Sequence, residues 1–183
     1  MILLNNKWDL YFLRFSLVAA TNSVCYAIQR GIIIVKDKQI LSTGYNGPPS
    51  GTRHPDELHP EYPRQCIRKA LGYKSGEGLE LCRCSHAEIN GISNAAKIGI
   101  SLKDTTMYCI FIEMPCQSIC AGAIINTGIK EIVLAGDPKE YNANGYSREM
   151  LEEAKIKVRR YSLLDDIIKK ETDKILVPFW KII

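Results

Sequence analysis

The stretch CRCSHAEINGI, residues 82–92, places four potential metal ligands at every second position: Cys82, Cys84, His86 and Glu88. In an extended strand all four side chains would point to one face, whereas a helix would distribute them around its circumference. After His86 the apolar residues recur at helical spacing, and Gly99 suits a helix end after Lys97. We therefore predict that a helix begins near His86 and that the residues before it are extended or in a loop.

A second group of potential ligands lies further along the chain, in MPCQSICAGAI, residues 114–124. Pro115 suits the first position of a helix, because its missing N–H costs no hydrogen bond there. In such a helix Cys116 and Cys120 would lie four residues apart on one face, and the helix dipole would favour their thiolate forms. The alternative is that two small cysteines simply pack in the helix.

We interpret these residues together as the H-x-E and P-C-x-x-C signature of zinc-dependent nucleobase deaminases. His86, Cys116 and Cys120 would bind Zn²⁺ and leave its fourth position to water, as in catalytic rather than structural zinc sites. Glu88 would stay outside the metal shell and move protons while water attacks and ammonia leaves. The alternative for Glu88 is an ordinary acidic residue in the first turn of a helix.

The rest of the chain alternates between strand and helix patterns. Residues 8–19 are typical of an amphipathic helix, and residues 31–47 of a hairpin that turns at Lys36 to Lys38. Further strands are predicted at 105–112, 130–136 and 155–162, and further helices at 116–126 and 146–155. This order predicts an α/β domain in which helices flank a mixed sheet. From about residue 163 we expect a C-terminal extension that docks on the domain.

Composition limits the possible functions. The 183 residues suit a single domain spanning the whole chain, 1–183, and the net charge of +4 comes without a basic block that would indicate nucleic acid as a partner. No apolar run of about 18 residues predicts a membrane span, and charged residues interrupt the apolar N-terminus where a signal peptide would need none. Seven cysteines without a secretion signal favour a reducing compartment, so we expect a cytoplasmic protein.

An insertion at about 47–82 interrupts the regular pattern. Its residues 47–81 contain five of the eight prolines, five glycines and two of the three histidines. So long a segment without periodicity is usually functional or held in place by something such as a metal ion.

Three segments and one cysteine resemble the deoxycytidylate deaminase family of the cytidine deaminase superfamily, over residues from about 10 to about 160. They are STGYNGPPSG (42–51), ELCRCSHAEINGI (80–92), PCQSICAGAIINTGIKEIV (115–133) and Cys25, six residues before Gly31. The resemblance implies a three-layer fold and zinc-dependent hydrolysis of deoxycytidine monophosphate (dCMP) to deoxyuridine monophosphate (dUMP) and ammonia. It also implies a small-molecule nucleotide substrate and a homo-oligomer.

The resemblance further implies substrate-binding residues. Asn46, in the G-Y-N-G segment, would contact the sugar, and Ala87 and Asn90 belong to the family's H-A-E-x-N pattern. Where relatives often carry an arginine for the phosphate, this chain has Ala27, and Arg30 lies nearby. A turn-forming Asn46 and a solvent-facing Asn90 are the alternatives.

A second, structural zinc is also implied, with Cys25, His54, Cys66 and Cys82 as a closed set of ligands. His59 is the rival of His54, because the insertion between His54 and Cys66 is long. We interpret Cys84 as a small residue near the active site, although a Cys82 and Cys84 pair on one metal is an alternative.

Two other functions remain open at this point. The segment PCQSICAGAI also resembles tRNA adenosine deaminases, so the substrate could be a base in tRNA, or a free nucleoside. An inactive scaffold stabilised by zinc is the alternative from another class of protein.

Overall fold

A computed structural model describes residues 7–74, 77–112, 114–136 and 145–162. Its five strands form one sheet in the order β2-β1-β3-β4-β5. The strands are β1 (Gly31–Lys36), β2 (Gln39–Tyr45), β3 (Thr106–Ile110), β4 (Glu131–Gly136) and β5 (Lys157–Ser162). β1 pairs antiparallel with β2 and β3, whereas β3, β4 and β5 run parallel to one another, so the sheet is mixed, as predicted.

The hairpin turn is two residues long, because Lys36 pairs directly with Gln39. Its central residues, Asp37 and Lys38, have φ angles of 49° and 64°. Two left-handed residues in a two-residue turn match the right-handed twist of the flanking strands. The turn therefore closes the predicted hairpin in the expected place.

Helices cover both faces of the sheet. α1 (Lys7–Thr21) lies on one face, and α4 (Ala87–Lys97), α5 (Gly122–Asn126) and α6 (Gly145–Glu153) lie on the other. Successive residues of β1 alternate between the two cores: Ile32 and Ile34 pack towards α4, and Ile33 and Val35 towards α1. This gives the predicted three-layer arrangement.

The insertion contains short helical turns rather than a continuous loop. They are α2 (Pro55–Leu58), α3 (Ile67–Ala70) and a 3₁₀ turn at Leu79–Leu81. The proposed C-terminal extension from about 163 lies outside the described residues. Within the described ranges, no helix combines the length and the apolar character that crossing a membrane would require.

A buried charge network joins α1 to the far edge strand. Asp9 is fully buried and accepts hydrogen bonds from Tyr108 (3.0 Å), Arg159 and Tyr161. Arg159 also donates to Glu131 at 2.8 Å. Burial alone would raise the pKa of Asp9, but the bonds from Arg159 and Tyr161 outweigh it and hold that pKa below its ordinary value.

The first turn of α4 packs closely against β2. A Cβ atom added to Gly44 would lie 2.2 Å from the carbonyl oxygen of Ala87, so only glycine permits this approach. Asn90, one turn further along α4, donates a 2.8 Å hydrogen bond to the carbonyl of Tyr45. These contacts fix the end of the helix at which His86 and Glu88 lie.

Candidate metal centre and active site

His86 is the N-cap of α4, as the sequence predicts. Its ψ of 153° is extended, and the helix begins at Ala87. The preceding Ser85 is also extended, because it forms an isolated antiparallel bridge with Gly47. Glu88 lies in the first helical turn and is only 3% exposed. The change from extended to helical backbone at His86 directs the His86 ring outwards and buries the Glu88 carboxyl group.

The cysteine spacing differs from the signature used to interpret it. Cys116 and Cys120 are separated by three residues, one more than P-C-x-x-C allows. The structure accommodates the extra residue in a π turn, Gln117–Ala121, where the N–H of Ala121 donates to the carbonyl of Cys116 at 2.9 Å. Such turns are often found at functional sites. The prediction that Pro115 occupies the first helical position is wrong, because Cys116 is the N-cap of this turn and Pro115 precedes it.

The three expected ligands converge. The Nδ1 atom of His86 lies 3.4 Å from the Cys116 sulfur and 3.3 Å from the Cys120 sulfur, and the two sulfurs are 3.3 Å apart. A tetrahedral zinc with ordinary bond lengths would separate such atoms by about 3.6 to 3.8 Å. Two sulfurs and one imidazole nitrogen at these separations form a donor set that fits zinc after a shift of a few tenths of an ångström.

Of the three expected ligands, only Cys116 is shifted towards its metal-binding form, because the hydrogen bond with Cys116 raises the pKa of Cys120. Hydrogen bonding from Cys120, and then from His86, lowers the pKa of Cys116 to about 4. Contact with Cys116 raises the pKa of His86, and burial raises the pKa of Glu88. Within the described part of the chain, this is the one set of three potential ligands whose binding atoms all lie within 4.8 Å of one another.

The two expected substrate-binding asparagines, Asn46 and Asn90, are held by hydrogen bonds to other parts of the protein. Asn46 is buried; its side-chain oxygen accepts from the Arg30 N–H at 2.7 Å and from Ser23, and its amide donates to the carbonyl of Ile28 at 2.8 Å. The amide of Asn90 donates to the carbonyls of Tyr45 and Gly47. Both asparagines therefore shape the loop that follows β2.

Arg30 has a weak electrostatic effect on His86 and Glu88. The pKa of His86 is raised by Cys116 and that of Glu88 by burial, and the charge of Arg30 opposes both increases only weakly. The Nε of Arg30 donates to the carbonyl of Phe111 at 2.8 Å, a bond that ties it to the end of β3. Ala87 is fully buried beneath Gly44. Arg30 is thus held at the end of β3, and Ala87 is held against β2.

A second cluster of thiols lines a cavity in the insertion. Its potential ligands are Cys25, His59, Cys66, Cys82 and Cys84. Contact with the Cys84 thiol lowers the pKa of Cys25 to about 5 and that of Cys82 to about 6. The Cys84 thiol thus contacts both Cys25 and Cys82, so Cys84 becomes a further candidate ligand in this cavity.

The structure does not bring His54 to this cavity. His54 is exposed at the beginning of α2, whereas His59, at the other end of that helix, lines the cavity. The one turn of helix between them separates the two rings, which sequence spacing alone does not reveal. His59 accordingly replaces His54 as the candidate histidine ligand.

A mixed sheet that carries three converging potential zinc ligands and a buried carboxyl group is the arrangement typical of the zinc-dependent deaminase class. The sequence-family model of the cytidine and deoxycytidylate deaminase zinc-binding region matches residues 6–136, and the chain belongs to this family.

Named relatives agree with this assignment. Deoxycytidylate deaminase of Saccharomyces cerevisiae is 32% identical over 164 residues, covering 90% of this chain and 48% of the relative. The deoxycytidylate deaminase of Mycobacterium phage D29 is 31% identical over 138 residues, which cover 73% of this chain and 95% of the relative. This chain spans less than half of the yeast relative's length. A structure of dCMP deaminase from cyanophage S-TIM5 with dCMP and dUMP has the same fold, with a TM-score of 0.65 at 21% identity, covering 87% of this chain and all of that one.

Proposed function

We propose that this chain catalyses the hydrolysis of dCMP to dUMP and ammonia. The convergence of His86, Cys116 and Cys120 beside the buried Glu88 is the observation that carries the proposal. Family membership supports the reaction type, and the relatives named deoxycytidylate deaminase support the substrate. Ammonia release from a panel of cytosine, cytidine, deoxycytidine and their monophosphates tests it.

Three residues would hold the zinc ion, and one would move protons. A zinc ion held by two thiolates and one imidazole acts as a Lewis acid and lowers the pKa of a water molecule at its open position towards neutrality. Glu88 is buried beside this set, and burial favours its protonated form more than in water. A carboxyl group with a raised pKa can both accept and return a proton near neutral pH.

In the proposed reaction, a carbon–oxygen bond forms at the ring carbon that bears the amino group, and the carbon–nitrogen bond breaks. Glu88 accepts a proton from the attacking water and delivers protons to the ring nitrogen and to the departing amine. Water supplies the oxygen of the product; one of its hydrogens ends on the ring nitrogen and the other on ammonia, whose remaining two hydrogens come from the amino group. No external oxidant or reductant is needed.

Recognition of the monophosphate is proposed to involve Arg30, supported by the effect of its charge on Glu88 and His86. Arg53 and Arg64, both exposed in the insertion, are further candidates. Asn46, Ala87 and Asn90 would form the wall of the sugar site. If Arg30 pairs with phosphate, Arg30→Gln should raise KM for dCMP more than KM for deoxycytidine, since arginine binds phosphate by paired, charge-assisted hydrogen bonds. An equal effect on both substrates would argue against this role.

We further propose a second, structural zinc in the cavity of the insertion. Cys25, Cys82 and Cys84 would supply three ligands, and Cys66 or His59 the fourth, which closes the shell as structural zinc requires. Metal analysis should find two zinc ions per chain. Cys84→Ser should lose one ion and lower the unfolding temperature, because such binding is part of the folding free energy. One zinc per fully loaded chain would refute the second site.

Assembly and compartment remain predictions. Tyr11, Phe15 and Val18 form an exposed apolar stripe on α1 and support a homo-oligomer, which sedimentation would detect. All seven cysteines are free thiols, which supports a reducing compartment such as the cytoplasm.

A further inference from the structure

Ser147 connects α6 to the segment that carries the first cysteine ligand. Its side chain is 2% exposed, and its hydroxyl donates a 2.6 Å hydrogen bond to the carbonyl of Pro115. Leu151, one turn further along α6, is fully buried in the core that also contains Met114. The helix is therefore packed against the residues that lead into the π turn.

The peptide group that accepts this bond joins Pro115 to Cys116, the metal ligand. On its other side, Cys116 is held by the hydrogen bond from the Ala121 N–H, whereas its own side chain makes no capping bond. Rotation of the peptide group between Pro115 and Cys116 would swing the sulfur away from His86 and Cys120. Ser147 restrains that rotation from outside the π turn.

We propose that Ser147 is a positioning residue that orients Cys116 for metal binding. This inference rests on the proposed zinc site, but not on the identity of the substrate. Groups that orient the ligands of a metal typically contribute about 10- to 100-fold to metal affinity or activity. We expect Ser147→Ala to raise the Kd for zinc by about that factor, and to lower kcat while KM changes little.

A matched control is available on the opposite face of the sheet. Ser16 is also fully buried, and its hydroxyl donates to the carbonyl of Tyr108 at 2.9 Å, far from the proposed ligands. Ser16→Ala should lose stability without any change in the Kd for zinc. The Kd is measured by competition with a chromogenic chelator, and the absorption spectrum of the cobalt-substituted protein reports the geometry of the ligands.

Two further variants separate the hydroxyl from the packing of the side chain. Ser147→Thr and Ser147→Val have nearly the same shape, but only the threonine keeps the donor. The proposal predicts at least about tenfold tighter zinc binding by the threonine variant and a cobalt spectrum closer to wild type. Equal zinc affinities for these two variants, or a wild-type Kd in Ser147→Ala, would overturn it. Neither measurement uses a substrate, so both remain decisive even if dCMP is not deaminated.

Discussion

Replacing Glu88 by glutamine tests the proton-transfer step with minimal change of shape. Glu88 is 3% exposed in the first turn of α4, two residues after His86, a proposed zinc ligand. The amide occupies nearly the same volume, but it cannot exchange protons with water or the leaving amine. General acid–base catalysis of this kind contributes about 10² to 10⁴ in rate, or about 2.7 to 5.4 kcal/mol of barrier. We expect kcat to fall by that factor.

The same change should not unfold the protein or remove its metal. Burial raises the pKa of Glu88, so at pH values above its ordinary pKa this carboxyl group lowers the free energy of unfolding. The neutral amide avoids this cost, so the unfolding temperature of Glu88→Gln should equal or exceed that of wild type. The assay combines ammonia release with zinc content and thermal unfolding. Glu131→Gln, a carboxylate-to-amide change in the network of Arg159, is the control and should keep wild-type kcat. A Glu88→Gln protein that holds zinc and turns over at the wild-type rate would refute the assigned role.

Three further changes test the fold and the metal site. Asp9→Asn should lower the free energy of unfolding by about 3 to 5 kcal/mol at neutral pH, because it breaks a buried charge pair. The folded pKa of Asp9 lies below its ordinary 3.8, so its contribution to stability is lost as the pH falls from 3.8 through the folded pKa. The difference in the free energy of unfolding between wild type and Asp9→Asn, measured by urea titration, should therefore shrink as the pH falls. A difference that stays constant would contradict the network. Gly44→Ala should lower both stability and activity, because its Cβ would meet the carbonyl of Ala87; wild-type values for both would disprove the tight seating of α4. Deleting Ser118 restores the C-x-x-C spacing and should leave the Kd for zinc close to the wild-type value, whereas loss of zinc would show that the π turn is required.

The sequence was informative where local pattern determines structure. The apolar run of β1 and the alternation of strands with helices predicted the layers, because burial on both faces leaves a continuous apolar signal. The junction at His86 was also predictable, since helical spacing begins directly after it. These features depend on neighbours in the chain, which a single sequence displays.

Features that depend on distant contacts were not predictable. The sequence favoured His54 over its rival His59, whereas the helical turn between them places His59 at the cavity. The bond of Ser147 to Pro115 crosses 32 residues and leaves no local signal. The extra residue between Cys116 and Cys120 was visible in the sequence, but its accommodation as a π turn required the backbone.

The most direct test of the account is deamination of dCMP by the purified, zinc-loaded chain in isotopically labelled water. We predict release of one ammonia per dUMP formed, with a single labelled oxygen in the base, and a higher kcat/KM for dCMP than for deoxycytidine or for a base in tRNA. Product without labelled oxygen would contradict the hydrolytic mechanism. Turnover of tRNA or of the free nucleoside alone would contradict the proposed substrate, and no turnover of any of them by zinc-loaded protein would contradict the central claim.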